Sequence, residues 1–557
     1  MTNDTADSKI NNRKKDIWTP LALASAIIFG MFIGLKLQNE PLIKASPKKE
    51  IKPVSNQQAL MQGRVDEIMR YVDAKYVDSV NDSVLMDHTI NNLLQELDPH
   101  SVFIPATQLQ KINEELDGVL DGIGVEAVYI DDTATVVSPI ANSPAAAVGI
   151  RSGDQILMVD DSSAIGKNAR WLDDKLHGRI GSTVRLTVTN KDDNKRRTPT
   201  IQRDKIPVHA VETAYNINDH TTYVKITRFS ANTTREFIQA LENLYTNSNS
   251  ADKIPKPRDL IIDLRGNGGG YLDKAVDILS QIFEEKDQLL VYTQGRTIHR
   301  NEYKSSGRQL FPVRKVAVII DEGSASASEI VAGAIQDWDR GAIVGRRSFG
   351  KGLVQEPYVL RDGSELRLTV ARYFTPSGRS IQKPYKGKSK KEYSNDEELR
   401  LEKGELTKTD SSLMLSDTTA FHTFKGRTVY GGGGITPDIF VPIDPSEKSE
   451  YFYTLKSWTT GYAYRYVTMH KADLKFKNAE DFENNFRVTD YAFSDFLHYV
   501  SVHDIQPSGN LPAVKEAVKK IIKARIARQI YGDEAYYKVL DENDACIQAA
   551  VQAVNTK

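Results

Sequence analysis

Residues 322–329 read EGSASASE, directly after the apolar run VAVIID that ends at Asp321. A serine here would sit at the start of a helix, where unsatisfied N–H groups and the helix dipole favour negative charge. That suits a serine oxygen that becomes an alkoxide nucleophile. It equally suits a plain cap: Ser326-Ala-Ser-Glu329 has the S-x-x-E spacing of a capping box, which accounts for the stretch by itself. A nucleophilic serine needs a base. None of the ten histidines lies between His299 and His422, so a histidine base would have to come from a distant part of the chain. The other choice is a lysine held neutral in a dry, apolar site. Lys351, in GRRSFGKGLVQ (345–355), is the candidate, 25 residues after Ser326, and Gln355 could hold its amine through the side-chain amide.

The same segment has a competing reading. GRRSFGKG fits the G-x-x-x-x-G-K front of a phosphate-binding loop and follows a strand. The next residue is Gly352, not Ser or Thr, so the Mg²⁺ ligand is missing. LVQEPYVL then reads as extended, so the helix N-terminus that cradles phosphate is missing too. Nucleotide binding is therefore not expected.

The elements that must position these residues follow from periodicity. Residues 57–97 carry helical spacing (Leu60, Val65, Ile68, Met69, Val72), ending at LDPHS (97–101), where Pro99 disfavours a helical Asp98. From 119 to 206 short strands alternate with turn signals. Between 207 and 382 strands alternate with helices, predicting an α/β layered core. Residues 383–430 are charged and poor in apolar side chains, and read as a mobile surface insertion. GGGGITPDIFVP returns to the core. The tail from 446 is aromatic, then helical, with a stripe at Val514, Val518, Ile521, Ile522, Ile526 and Ile530.

Composition narrows the function classes. A net charge of −1 over 557 residues argues against nucleic-acid binding, which needs a basic excess. The single cysteine, Cys546, allows neither an intramolecular disulfide nor a thiolate metal cluster. Ile17–Leu35 is a 19-residue stretch without charge, close to the length that spans a bilayer, and Arg13-Lys14-Lys15 precede it. The expected layout is a cytoplasmic tail (1–15), a transmembrane signal anchor (16–36) and a linker (37–56). A cleaved signal peptide is the alternative. A helical region (57–118), a β-domain (119–206), an α/β core (207–445) and a helical extension (446–557) then follow outside the inner membrane, in the periplasm or at the cell exterior.

GSASASEIVAGAIQD followed by GAIVGRRSFGKGLVQ closely resembles the C-terminal processing (tail-specific) serine peptidases. DLRGNGGGYL (263–272), LDPHSVFI and LRLTVARYFTPSGRSIQ resemble further segments of that family, in family order. The resemblance implies Ser326 as nucleophile, Lys351 as general base and Gln355 as the amide that positions the lysine. It implies an oxyanion hole from the N–H groups of Ala327 and of the loop around Gly269, and Asp337 as a supporting acid. It also implies a crotonase/ClpP-like core. Residues 119–206 resemble the PDZ domain of these peptidases, with Gly122, Ile123, Gly124 and Val125 as the carboxylate-binding loop. Successive free N–H groups there would form a nest for a terminal carboxylate, and a strand edge beside them would pair with an extended peptide. The expected protein is a membrane-anchored endopeptidase that takes proteins by their free C-terminal tails and needs no metal or other cofactor. Its C-terminal extension is a candidate surface for self-association or an adaptor. The alternative is an inactive tail-binding module; an intact Ser326, Lys351 and Gln355 argues against it.

Overall fold

The computed structural model describes residues 56–190, 195–246, 256–408, 419–502 and 509–556. The expected tail (1–15), membrane anchor (16–36) and linker (37–56) lie outside the described residues except for Asn56, which opens a helix; within the described residues, no helix is long and apolar enough to cross a membrane. Among the described residues, those up to Met86 form one unit, with the helix Asn56–Lys75 and the first turn of Asp82–Gln95. Residues from Asp87 onward form the other.

The second unit is multidomain α/β. Its central sheet runs Val211–Asn218, Thr221–Ile226, Arg258–Asp263, Val313–Ile320, Gly341–Gly345, Ile439–Phe440. The first pair is antiparallel and the rest are parallel. Strands covered on both faces read as continuous apolar runs, and VAVII is such a run. Val316, Val318 and Ile320 pack with the helices Thr233–Thr246, Leu272–Ser280 and Ala327–Asp337. Ala317 and Ile319 face the other way, onto Cys546, Ile547, Ala550 and Val554 of the last helix, Ala545–Asn555. The end of the expected extension is thus a layer of the core. Cys546 is a buried packing residue whose thiol is pushed up to about 11 by burial.

A second sheet joins Val102–Ile104, Glu365–Phe374, Lys286–Gln294 and Asn301–Ser306, with Leu353–Val359 also paired to Glu365–Phe374. Because Leu353–Val359 is a strand, no helix follows Lys351, which removes the phosphate-loop reading. Residues 125–202 fold around a separate small core that includes Val136, Ile156 and Leu186. The helices between Glu450 and Asp541 bury an aromatic core of their own, with Phe482, Phe496 and Tyr499 at its centre.

Residues 383–430 differ from expectation. In the described part, Tyr393, Arg400, Glu405 and Leu406 are buried. Charge made the segment look solvated, but Arg347 and Arg400 both bond Glu405 at 2.8 Å, so two arginines share one carboxylate inside.

Candidate active site

The strand Val313–Ile320 ends at a turn, and the helix Ala327–Asp337 begins on Ser326. Ser326 has φ 54° and ψ −112°, a backbone that a non-glycine residue adopts only under constraint. The constraint is visible: the Tyr373 hydroxyl donates to the Ser326 carbonyl at 3.1 Å, and the Ser326 N–H donates to Glu329 Oε2 at 2.8 Å. The carboxylate half of the expected capping box therefore forms. The Glu329 N–H bonds the Ser326 carbonyl, at 2.9 Å, instead of the hydroxyl. The three serines separate clearly. Ser324 Oγ donates to the Leu264 carbonyl at 2.8 Å, and Ser328 Oγ to the Asn267 carbonyl at 2.8 Å. Ser326 lines a cavity of about 610 Å³, and its hydroxyl is not engaged in capping.

Lys351 lines the same cavity. Its Nζ donates to Gln355 Oε1 at 3.3 Å, and Gln355 Nε2 donates to the carbonyl of His100. Burial holds the Lys351 amine below its ordinary value, and Arg367 pushes the same way; Glu329 and Asp98 oppose them. Glu329 is fully buried and accepts four donors. These are the N–H groups of Ser326 (2.8 Å), Gly350 (2.7 Å) and Lys351 (2.9 Å), and the Ser348 hydroxyl (2.5 Å). Its own pKa is raised by that burial, against the pull of those bonds.

The glycine loop after Arg258–Asp263 closes the third side. A Cβ on Gly269 would come within 2.7 Å of Ser326 Cβ and 3.0 Å of the Ala327 nitrogen, and its φ is +99°. Only glycine allows that approach. The Gly269 N–H, expected in the oxyanion hole, is already given to Asn267 Oδ1 at 2.9 Å. Bonds from Phe229 N–H to the Gly269 carbonyl and from Tyr271 N–H to the Phe229 carbonyl leave the Gly270 N–H without a partner among the described residues. The Ala327 N–H is likewise open, as first-turn helix donors are. A hydroxyl, a desolvated amine and open N–H groups around one cavity can perform acyl transfer.

At the N-terminal edge of the small β-domain, Ile123 is buried in its core and Gly124 has φ +77°, with its carbonyl accepting from Ile140 N–H (2.9 Å) and the Ser143 hydroxyl (3.0 Å). Gly122 pairs with Asp204. Val125 opens the strand Val125–Ile130, which is paired on one side only, to Thr133–Pro139.

The chain matches Peptidase family S41 over residues 220–387, a PDZ domain over 122–200 and a family of unknown function over 453–532. It is 35% identical over 324 residues to the carboxy-terminal-processing protease of Bartonella bacilliformis, covering 57% of this chain and 72% of that one. It is 31% identical over 370 residues to carboxy-terminal processing protease CtpB of Bacillus subtilis, covering 65% and 74%. The chain belongs to the carboxy-terminal processing proteases. Among solved structures it is similar to the photosystem II D1 C-terminal processing protease, at 25% identity over 70% of this chain and 94% of that one; the TM-score of 0.34 is too low to bear on the fold.

As a serine protease of this family with a PDZ domain, the chain departs from expectation at Asp337. That residue ends the serine helix, 11 positions and thus about 16 Å of helical rise beyond Ser326. Its carboxylate pairs with the buried Arg379 at 2.8 Å and accepts from Ser377 N–H at 2.9 Å, so it anchors the loop after Phe374 and stands apart from the serine. One residue of this carboxy-terminal processing protease escaped sequence reasoning: His100 acts through its carbonyl, which no side-chain motif reveals. Glu329 was expected as the cap that fixes the Ser326 turn, and what the S-x-x-E spacing could not show is its tertiary hold on Gly350 and Lys351.

Proposed function

We propose that this protease cuts with a Ser326–Lys351 dyad and takes its substrates by their free C-terminal tails. Lys351, neutral, removes the hydroxyl proton as Ser326 Oγ adds to a peptide carbonyl carbon. The carbonyl oxygen becomes an oxyanion, held by the N–H of Ala327 and that of Gly270 in place of Gly269. The lysine proton passes to the leaving amine as the C–N bond breaks. Water, deprotonated by Lys351, then hydrolyses the acyl-enzyme and regenerates Ser326. Gln355 orients the amine throughout. The observation that carries this reading is that, of three adjacent serines, only Ser326 faces the cavity that also holds the desolvated Lys351.

The PDZ loop Gly122–Val125 takes the terminal carboxylate, and the open edge of Val125–Ile130 receives the tail as an added strand. The 19-residue uncharged stretch 17–35 supports a chain anchored in the inner membrane that processes or degrades proteins of the cell envelope. The helices between Glu450 and Asp541 serve self-association or an adaptor.

The test is digestion of a loosely folded protein with an apolar C-terminus. Ser326→Ala and Lys351→Ala are expected to abolish cleavage, and a C-terminal amide on the substrate to slow it. Cleavage by Ser326→Ala at the parent rate would sink the dyad; indifference to the amide would sink tail capture.

A further inference from the structure

The short helix Lys390–Ser394 lies within the segment read as a surface insertion, yet its Tyr393 is buried against the loop that carries Lys351. The Tyr393 ring meets Phe349 edge-on at 5.9 Å and His100 at 5.3 Å. The ammonium of Lys383, ion-paired to Asp396 at 3.3 Å, sits 3.7 Å from the Phe349 ring centre and 4.3 Å from that of Tyr393. Gln382 Nε2 donates to Tyr393 Oη at 3.1 Å, and Tyr393 Oη and His100 Nε2 share a hydrogen bond at 2.9 Å. His100 in turn presents its carbonyl to Gln355, whose Oε1 receives the Lys351 amine. Asp98 completes the frame by accepting the N–H groups of His100 and Ser101, each at 2.8 Å.

We propose that Tyr393 is a positioning residue for Lys351, acting through His100 and Gln355. The inference rests on the dyad reading and adds to it that residues 383–408 set the geometry of the base. The chain of contacts is continuous, and each link has a direction. The Tyr393 hydroxyl fixes the imidazole, the residue so fixed offers its carbonyl, and that carbonyl turns the Gln355 amide so that its oxygen faces the amine. His100 supports this by staying neutral: burial first, and Lys351 next, push it down to about 4. The charged and titratable groups around Lys351 are Glu329 of the serine helix, Arg367 of the strand Glu365–Phe374, and Asp98 and His100 of the 97–101 segment. Loosening His100 lets water reach the amine, weakens its desolvation and moves its titration upward.

The experiment uses the full chain and reads the rate of acylation by a serine-reactive fluorophosphonate against pH, together with peptide kcat and KM. Tyr393→Phe keeps the ring and removes only the hydroxyl. The expected result is a pH–rate limb shifted up by about half to one unit and kcat lowered roughly three- to tenfold at neutral pH, with KM unchanged. Gln355→Ala should shift the limb the same way, and adding Tyr393→Phe to it should change nothing further, since both act on one path. A wild-type profile in Tyr393→Phe, or additive effects in the double variant, would overturn the proposal. Lys351→Ala is run alongside. Its acylation at the parent rate would take down the dyad and this inference together, whereas an inert Lys351→Ala beside an unchanged Tyr393→Phe would take down this inference alone.

Discussion

The backbone N–H groups of Ser326 and Lys351 converge on one oxygen, Oε2 of Glu329, at 2.8 and 2.9 Å. Two residues 25 positions apart are thereby fixed by a single buried carboxylate, independently of their side chains. Glu329→Ala would strand three N–H groups and the Ser348 hydroxyl, each costing about 1–3 kcal/mol when left buried and unmet. The variant is expected to lose several degrees of Tm and nearly all fluorophosphonate labelling of Ser326. A folded Glu329→Ala that labels normally would show that the shared carboxylate does not matter.

The serine run makes its own control. Ser324→Ala and Ser328→Ala each remove a hydroxyl bonded to a buried carbonyl, of Leu264 and Asn267 respectively, and should cost about 1–2 kcal/mol by chemical denaturation. Both are expected to retain measurable peptidase activity. Ser326→Ala should leave the fold intact while abolishing cleavage, because alanine takes the same backbone and removes only the hydroxyl. Abolished labelling in a folded Ser328→Ala, with Ser326 intact, would count against this division.

The amine of Lys351 titrates below its ordinary 10.5, chiefly through burial. In the proposed mechanism its neutral form is the active one, so kcat/KM should rise with pH through the depressed value and then level off. Stability follows the same sign. Between the folded value and 10.5 the unfolded chain binds a proton that the native state lacks, so stability rises with pH across that window. Lys351→Met should remove the slope in stability along with the activity. An activity limb set at the ordinary lysine value would contradict the desolvated amine.

Glu405 stands between Arg347 and Arg400, bonding each at 2.8 Å, with all three nearly enclosed. Breaking such a group from one side leaves uncompensated buried charge, at about 3–5 kcal/mol. Glu405→Ala should therefore lower the unfolding midpoint strongly and loosen the loop 346–351 behind Lys351, seen as faster amide exchange at Phe349 and Gly350. A change under about 1 kcal/mol would mean that the arginines find water instead.

Sequence reasoning paired Ser326 with Lys351, and the two line one cavity, because each sits in a short contiguous motif on a predictable element: a strand, a turn and a helix for Ser326, a glycine-flanked loop for Lys351. It failed where a role depends on a partner far along the chain. Gln355 meets His100 across 255 positions, and Tyr393 meets His100 across 293. Asp337 was misplaced because proximity in a motif does not survive 11 residues of helix. The segment 383–430 was misjudged because composition counts charges and cannot see that Glu405 is buried between Arg347 and Arg400. The Gly269 N–H was assigned outward because the neighbouring Asn267 amide, which takes it, reads in sequence as part of a plain turn.

The backbone tie through Glu329 also bears on timing. Its donors come from residues 326 and 348–351, Gly269 presses on the serine from a third stretch, and Gln355 is held by a fourth. None of these stretches can present a hydroxyl beside a dry amine alone. A newly made copy is therefore harmless to its half-folded siblings, and to itself, until its own tertiary structure has closed: ripening is tied to folding.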